Sequence, residues 1–381
     1  MKILFVIDKM QNYAGIERIL SCKMNYISEQ TPHNVFLTTY DQLDKDLPFQ
    51  LNEKISYNPI YVPMPLRDKM TIYSWIKAYF QARGIFKRQF KAMLNKTKPD
   101  IVICTVYSFQ VLDIIVNVCH KQCIKIVMES HTKGETVTMA HKLKYNRHLY
   151  KLALLWDHHI MKSLRHCSCV VTLTKQDVHF WHRYAQRIEV IPNMLTIIPK
   201  KVLDYGSKRV ISAGRYKSEK GFDHLLKAWE IIKKDFCDWD LYIFGNGDRM
   251  PYQEIADQLQ LGESVHLMPA TEDIVNEFAI SSIYVMSSRY EGFGLVLAEA
   301  MSCGLPCVSF DCPYGPREII RDGEDGLLAE NGSIEILAQK IGLLMANEGL
   351  RKEMGAKAIQ NIARFKPEVI MAQWINIFNS I

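Results

Sequence analysis

The stretch Ser287-Ser288-Arg289-Tyr290-Glu291-Gly292-Phe293-Gly294-Leu295-Val296-Leu297-Ala298-Glu299-Ala300-Met301-Ser302-Cys303-Gly304-Leu305-Pro306 decides how the rest of the chain is read. It follows the apolar run Ile283-Tyr284-Val285-Met286, which has the composition of a buried parallel strand, and it turns helical once the glycines are passed. Strand, loop and helix in that order form a ligand-facing edge of an α/β sheet. Gly292 and Gly294 remove side chains where a ligand must approach the backbone, and the free amides of Leu295 and Val296 at the helix start favour a phosphate. Gly304 then stops the helix and Pro306 opens the next strand.

Two carboxylates frame this loop. Glu291 falls at the carboxyl end of the strand and Glu299 about one turn into the helix, so both can face one crevice without touching. A carboxylate there accepts hydrogen bonds from sugar hydroxyls, and two vicinal hydroxyls suit a bidentate acceptor; Glu299 is read as the ribose partner and Glu291 as the partner of a second sugar. An isolated Glu pair at a helix start is by default a solvated one, but the flanking glycines weigh against that here.

Working outward, Arg209 to Gly214 starts a new sheet, and Arg215 and Lys220 follow it on one strand-end loop. Two cations so placed suit a diphosphate, Arg as a planar fork and Lys as a point charge. Leu241 to Phe244 is another strand, after which Gly245-Asn246-Gly247 permits close passage of a nucleotide. This motif lacks the third glycine and the downstream acid of a dinucleotide site, which disfavours a nicotinamide enzyme. Val265 to Met268 and Cys307 to Phe310 are further strands, and Ile370, Trp374, Ile377 and Phe378 recur at helical spacing in the segment 367–381.

The first half has strands at Met1 to Asp8, Val35 to Thr38, Ile101 to Cys104, Lys125 to Met128 and Val170 to Leu173, alternating with helical stretches. This is the pattern of a doubly wound parallel sheet, so function belongs at the strand ends. The first apolar run is too short for a signal peptide, and no run reaches the length of a membrane span. Gly15, before a helix, and Glu129-Ser130-His131, after a strand, both lie at such ends.

The net charge of +6 conceals an asymmetry: residues 1–200 hold 28 Lys or Arg against 15 Asp or Glu, whereas the remainder holds 19 against 26. A basic first half suggests an anionic partner, and without zinc-finger or RNA-binding signatures nucleic acid is the weakest choice. From Lys69 to Lys98 there is no acid, and lysines and arginines alternate with Tyr73, Trp75, Tyr79, Phe80, Phe86 and Phe90. Such a helix either meets anionic headgroups with its rings at the acyl boundary or packs those rings onto its own sheet. Lys142, Lys144, Arg147, Lys151, Lys162 and Arg165 continue the basic character. The ten cysteines lack paired Cys-x-x-Cys spacing and sit largely in apolar runs, which favours buried thiols in a reducing cytoplasm.

The setting of Glu291 to Glu299 resembles the signature of family 4 retaining glycosyltransferases of the GT-B fold, of the bacterial polysaccharide or lipid-linked oligosaccharide type. Gly214-Arg215 with Lys220-Gly221, Phe244-Gly245-Asn246-Gly247-Asp248 and Tyr314-Gly315-Pro316-Arg317-Glu318-Ile319-Ile320 are similar to the family's other C-terminal segments, in the family's order. The resemblance implies an α/β chain of two Rossmann-like doubly wound domains facing a central cleft. Residues 1–192 would be the acceptor-binding domain, 193–206 a linker (Pro199-Lys200-Lys201 within it) and 207–366 the nucleotide-sugar domain, with the helix 367–381 returning to the first. It implies transfer, with retention, of a hexose or N-acetylhexosamine from a nucleoside diphosphate sugar, read as a UDP-sugar, to a glycan or lipid-linked acceptor at the inner face of the membrane.

Donor contacts are then expected from Gly15, Gly214, Arg215, Lys220, Gly245, Asn246, Gly292, Phe293, Gly294, Leu295, Val296 and Glu299. The catalytic set is Glu291, His131, Arg215 and Lys220, with His131 facing the transferred sugar or the acceptor. The family has two glycines where this chain has Ala14-Gly15, so Gly15 alone is the close-approach residue. No Asp-x-Asp pair is placed for a divalent ion, and neither a metal nor another cofactor is expected. Two other classes share the features: a UDP-sugar isomerase of the same fold, which would need acid and base carboxylates, and a non-catalytic sugar-nucleotide or glycan-binding partner, which would show no turnover.

Overall fold

Five consecutive residues, Ile3 to Ile7, are buried in the first strand, and this continuous apolar run is what a strand covered on both faces requires. The computed structural model describes residues 1–11, 14–42, 47–65, 70–106, 110–142, 147–197, 199 and 203–381. The chain divides into two compact units, 1–192 with 370–381, and 193–369.

In the first unit, β1 (Lys2–Ile7), β2 (Asn34–Thr39), β3 (Ser56–Tyr57), β4 (Ile101–Val106), β5 (Lys125–Ser130), β6 (Cys169–Thr172) and β7 (Ile188–Val190) form a sheet in the order β3-β2-β1-β4-β5-β6-β7. Every pairing is parallel, with Phe5 opposite Leu37 on one side and Ile103 on the other. The crossovers are α1 (Gly15–Gln30), α2 (Ile72–Thr97), α3 (Leu112–Lys121), α4 (Met139–Lys142), α5 (Arg147–Ser163) and α6 (Lys175–Trp181). Thr71 caps α2 by accepting from the Ser74 amide, and Lys98 ends it in the left-handed region.

The second unit repeats the plan with β8 (Arg209–Ala213), β9 (Asp240–Gly245), β10 (Val265–Pro269), β11 (Ile283–Met286), β12 (Cys307–Phe310) and β13 (Gly326–Ala329), in the order β10-β9-β8-β11-β12-β13. Its helices are α7 (Phe222–Lys233), α8 (Met250–Gln258), α9 (Ile274–Ala279), α10 (Leu295–Ser302), α11 (Pro316–Ile319), α12 (Ile334–Ala346) and α13 (Glu348–Ile362). Trp229 and Leu226 of α7 and Leu337 and Ile341 of α12 fill one core against β8, β11 and β12. The chain closes with α14 (Pro367–Ser380), whose Ile370, Trp374, Ile377 and Phe378 are buried. In both sheets the first strand is central and the order reverses beside it, so each unit has a topological switch point at its strands' carboxyl ends.

Of the expected linker, residues 198 and 200–202 lie outside the described residues. Tyr205 is anchored to the second unit: its Oη donates to the Gly304 carbonyl at 3.0 Å, and Arg351 Nη2 donates to its own carbonyl at 2.7 Å. Lys69 and Lys144 of the basic stretches also lie outside the described residues. All ten cysteines are free thiols, and Cys123, expected among the buried ones, is exposed in the turn after α3 with a φ of 56°. No helix among the described residues is long and apolar enough to cross a membrane.

Candidate functional site

In the second unit four strand-end loops touch one another, and glycines make the touching possible. A Cβ on Gly245 would overlap the Gly214 carbonyl, one on Gly221 the Ser287 carbonyl, and one on Gly315 the Phe293 carbonyl. Gly221 and Gly315 also have φ of 61° and 139°, which disfavour any side chain. The loops after β8, β9, β11 and β12 therefore form one backbone cradle at the switch point. Tyr216, buried beneath it, holds its hydroxyl 2.6 Å from the Ile243 carbonyl and 3.0 Å from the Met268 carbonyl, so its one proton is shared between β9 and β10.

The cradle brings Lys220 and Glu291 together, 71 residues apart in sequence: Lys220 Nζ donates to Glu291 Oε1 at 2.7 Å, and Ser288 Oγ donates to the same oxygen at 2.5 Å. Gly214 leaves room for the Lys220 stem, whose Cδ would lie 3.3 Å from a Cβ there. Arg215 is exposed, with Nη2 3.1 Å from Glu219 Oε1, so its guanidinium stands at the rim rather than in the pair. The first-turn amides of α10, including Leu295 and Val296, have no carbonyl within the helix to donate to, and Gly294, with φ of 95°, starts that helix.

A second set of residues holds these loops in register, and the sequence reading assigned it no role. Arg289 forks onto Asp223, Nη1 to Oδ1 at 2.9 Å and Nη2 to Oδ2 at 2.7 Å, and also donates to the Ser218 carbonyl at 2.5 Å. Burial would raise the Asp223 carboxyl, but the Arg289 fork outweighs it and lowers it. Ser287 Oγ donates to the Lys220 carbonyl at 3.0 Å. Arg289 stands two residues before Glu291 and Asp223 three after Lys220, so proximity to the two predicted residues was the available signal.

Two residues of the expected donor set have buried side chains. The Phe293 ring is buried and packs edge-on against Phe365, with centroids 5.3 Å apart, so it is core and only its backbone lines the cradle. Glu299 is buried too, and its Oε1 accepts from Thr196 Oγ1 at 2.6 Å. Asn246 is exposed at the end of β9, and its carbonyl accepts from the Tyr216 amide at 2.8 Å. Among the described residues no group of three or more His, Cys, Asp or Glu is gathered to hold a metal ion.

In the first unit Gly15 begins α1, with Ala14 in extended conformation before it. His131, expected to face the transferred sugar or the acceptor, follows β5 directly and is 5% exposed. Its Nε2 lies 3.2 Å from Glu129 Oε1, an oxygen that also accepts from the buried ammonium of Lys23. Burial would raise the Glu129 carboxyl, but the charges and hydrogen bonds of Lys23 and His131 outweigh it and hold it at about 2. The Lys23 ammonium in turn sits 3.8 Å from the centroid of the Trp374 ring. The loop after His131 is fixed by Asp177, which accepts from the Gly134 amide at 3.0 Å, from Thr172 Oγ1 at 3.1 Å and from Trp181 Nε1 at 2.7 Å.

The aromatic helix α2 divides its rings. Tyr79, Phe86 and Phe90 are core, whereas Tyr73, Ile76 and Phe80 are exposed on the same face as Lys77. Trp156 of α5 meets Phe80 edge-on at 6.1 Å, and Leu152, Leu154 and Leu155 are exposed beside it. On the described parts of α2 and α5 the single acid is Asp157, which is buried and accepts from the Met139 and Ala140 amides.

Residues 194–361 match the model of the family described as glycosyl transferases group 1. That span covers almost the whole of the second unit. The two parallel sheets have the GT-B architecture. The chain is similar to an uncharacterized glycosyltransferase of Haemophilus influenzae, 34% identical over 215 residues, which are 55% of this chain and 61% of that protein. The amylovoran biosynthesis glycosyltransferase of Erwinia amylovora is 27% identical over 99% of both chains. The Anabaena protein HepE, solved in complex with UDP and glucose, superposes with a TM-score of 0.75 at 16% identity, covering 100% of both chains.

Proposed function

We propose that this chain is a glycosyltransferase that moves a hexose or N-acetylhexosamine from a UDP-sugar to a hydroxyl of a glycan or lipid-linked acceptor, with retention and without a metal, in bacterial cell-surface polysaccharide synthesis. The observation that carries the reading is the Lys220–Glu291 pair, 2.7 Å apart on a cradle of backbone amides at the start of α10. A cation and a carboxylate side by side match the two ends of a nucleotide sugar: Lys220 the diphosphate, Glu291 the sugar hydroxyls. The likeness to an amylovoran glycosyltransferase and to a protein solved with UDP and glucose supports the acceptor class and the nucleoside.

In the reaction the C1–O bond to the diphosphate breaks as an acceptor hydroxyl bonds to C1 on the same face, and the hydroxyl proton passes to a leaving diphosphate oxygen. Negative charge grows on that diphosphate, so Lys220, Arg215 at the rim and the α10 amides bind the transition state more tightly than the ground state. Residues 1–192 are the acceptor-binding part of this reading, with Gly15 and His131 on the substrate side. The exposed rings and leucines of α2 and α5, bordered only by basic residues among the exposed charges described there, suit an anionic bilayer surface at the inner face of the membrane.

A panel of UDP- and GDP-sugars, tested for protection against thermal unfolding, checks the donor: a UDP-sugar is expected to protect the native protein and Lys220→Ala to lose that protection. Equal protection in both proteins, or none with any donor, overturns the reading. Proton NMR of the product then reads the anomeric configuration. Sedimentation with and without anionic lipid vesicles tests the bilayer contact, and binding indifferent to salt or lipid charge discards it.

A further inference from the structure

Lys23 and Glu129 are both almost wholly buried, at 2% and 1% exposure. A buried ion pair is seldom a net gain in stability over apolar residues of the same volume, so its presence asks for another reason. The carboxylate oxygen of this pair, its charge nearer to the His131 ring, lies 3.2 Å from His131 Nε2; both ring nitrogens are buried and neither makes a well-aligned hydrogen bond among the described residues. An acceptor-only carboxylate, kept ionised by the ammonium on its other side, draws a hydrogen toward it from the imidazole. In a neutral ring that places the proton on Nε2 and the lone pair on Nδ1.

We infer that Lys23 and Glu129 are positioning residues that fix the tautomer of His131, so that Nδ1 offers a lone pair to a hydroxyl of the bound substrate. The inference rests on the glycosyltransferase reading, and it turns an orphaned buried nitrogen into a hydrogen-bond acceptor waiting for its donor. Trp374 belongs to the same arrangement: its ring over Lys23 keeps water from the ammonium and so keeps the charge on Glu129 unscreened.

The test uses the full chain with a single pair of readouts. Nitrogen-15 spectra of the His131 ring are expected to show Nε2–H in the native protein and a tautomer mixture in the double variant Lys23→Met/Glu129→Gln, whose neutral pair avoids stranding one buried charge and whose amide presents either its oxygen or its NH2. Turnover of UDP-glucose or UDP-N-acetylglucosamine, followed as UDP release, is expected to fall about 10–100-fold in the double variant, the range of an oriented proton or hydrogen-bond partner. It should fall comparably in His131→Asn, and adding the double change to His131→Asn should cost nothing further, since groups acting through one residue are not additive.

A native Nδ1–H tautomer overturns the assignment. So does a triple variant slower than His131→Asn by the full factor of the double, because Lys23 and Glu129 would then act elsewhere. Native turnover in His131→Asn overturns it as well, and continued inactivity of Lys220→Ala in that case leaves the glycosyltransferase reading standing.

Discussion

The two units share one strand order and treat charge in opposite ways. In the second, Lys220, Glu291, Arg289 and Asp223 stand on half-buried loops within twelve residues of a strand end, and glycines press those loops together. In the first, the ions are sunk into the packing: Lys23 with Glu129, and Arg83 Nη2 with Asp113 Oδ2 at 2.6 Å. The same frame thus yields a site of exchangeable partners in one unit, where a ligand can take over a cation, and a site of fixed partners in the other, where charge sets the posture of a neighbour.

Four changes break or sharpen that contrast. Lys23→Met strands a buried carboxylate and is expected to cost about 3–5 kcal/mol of unfolding free energy, seen as an early transition in urea. Lys220→Ala, by contrast, should leave unfolding within about 1 kcal/mol of native while slowing transfer about 100–1000-fold, the scale of losing one transition-state charge partner. If the two variants lost stability equally, fixed and exchangeable pairs would not be different in kind. Gly221→Ala tests the cradle: with a positive φ and the Ser287 carbonyl in the way, it should cost about 2 kcal/mol and weaken donor binding.

The smallest effect is a pH dependence in the first unit. Burial raises the Asp8 carboxyl to about 6, with the neighbouring charges of Asp41 and Glu17 adding to it. The folded state therefore holds a proton that the unfolded state releases near pH 4, so stability is fullest below that pH and declines as pH rises through about 6. Asp8→Asn should flatten this slope and gain about 1–2 kcal/mol at pH 7, measured by urea unfolding at several pH values.

How much was legible in the sequence follows the same division. Glu291, the glycines and the α10 start occupy one continuous stretch, and the central strands of both sheets, such as β1, β4, β9 and β11, are apolar runs that need no partner to be recognised. Lys23 gave no such signal: it lies in a helix of mixed composition, and its carboxylate is 106 residues away. His131 was found by its place after a strand, but its burial depends on Lys23 and Glu129, which no local pattern joins. Gly245 stands out in its motif, but the contact its missing side chain admits, with the Gly214 carbonyl, is set by tertiary packing alone. The two-residue β3 is too short to have a period.

The docking of Trp374 on Lys23 also orders events during synthesis. An ammonium made among the first two dozen residues has no ring to cover it until the ribosome has produced residue 374, after the whole of the 193–369 unit. Domains ordinarily fold in the order in which they emerge. Here the later one can finish first, and the earlier one is sealed only when α14 has emerged.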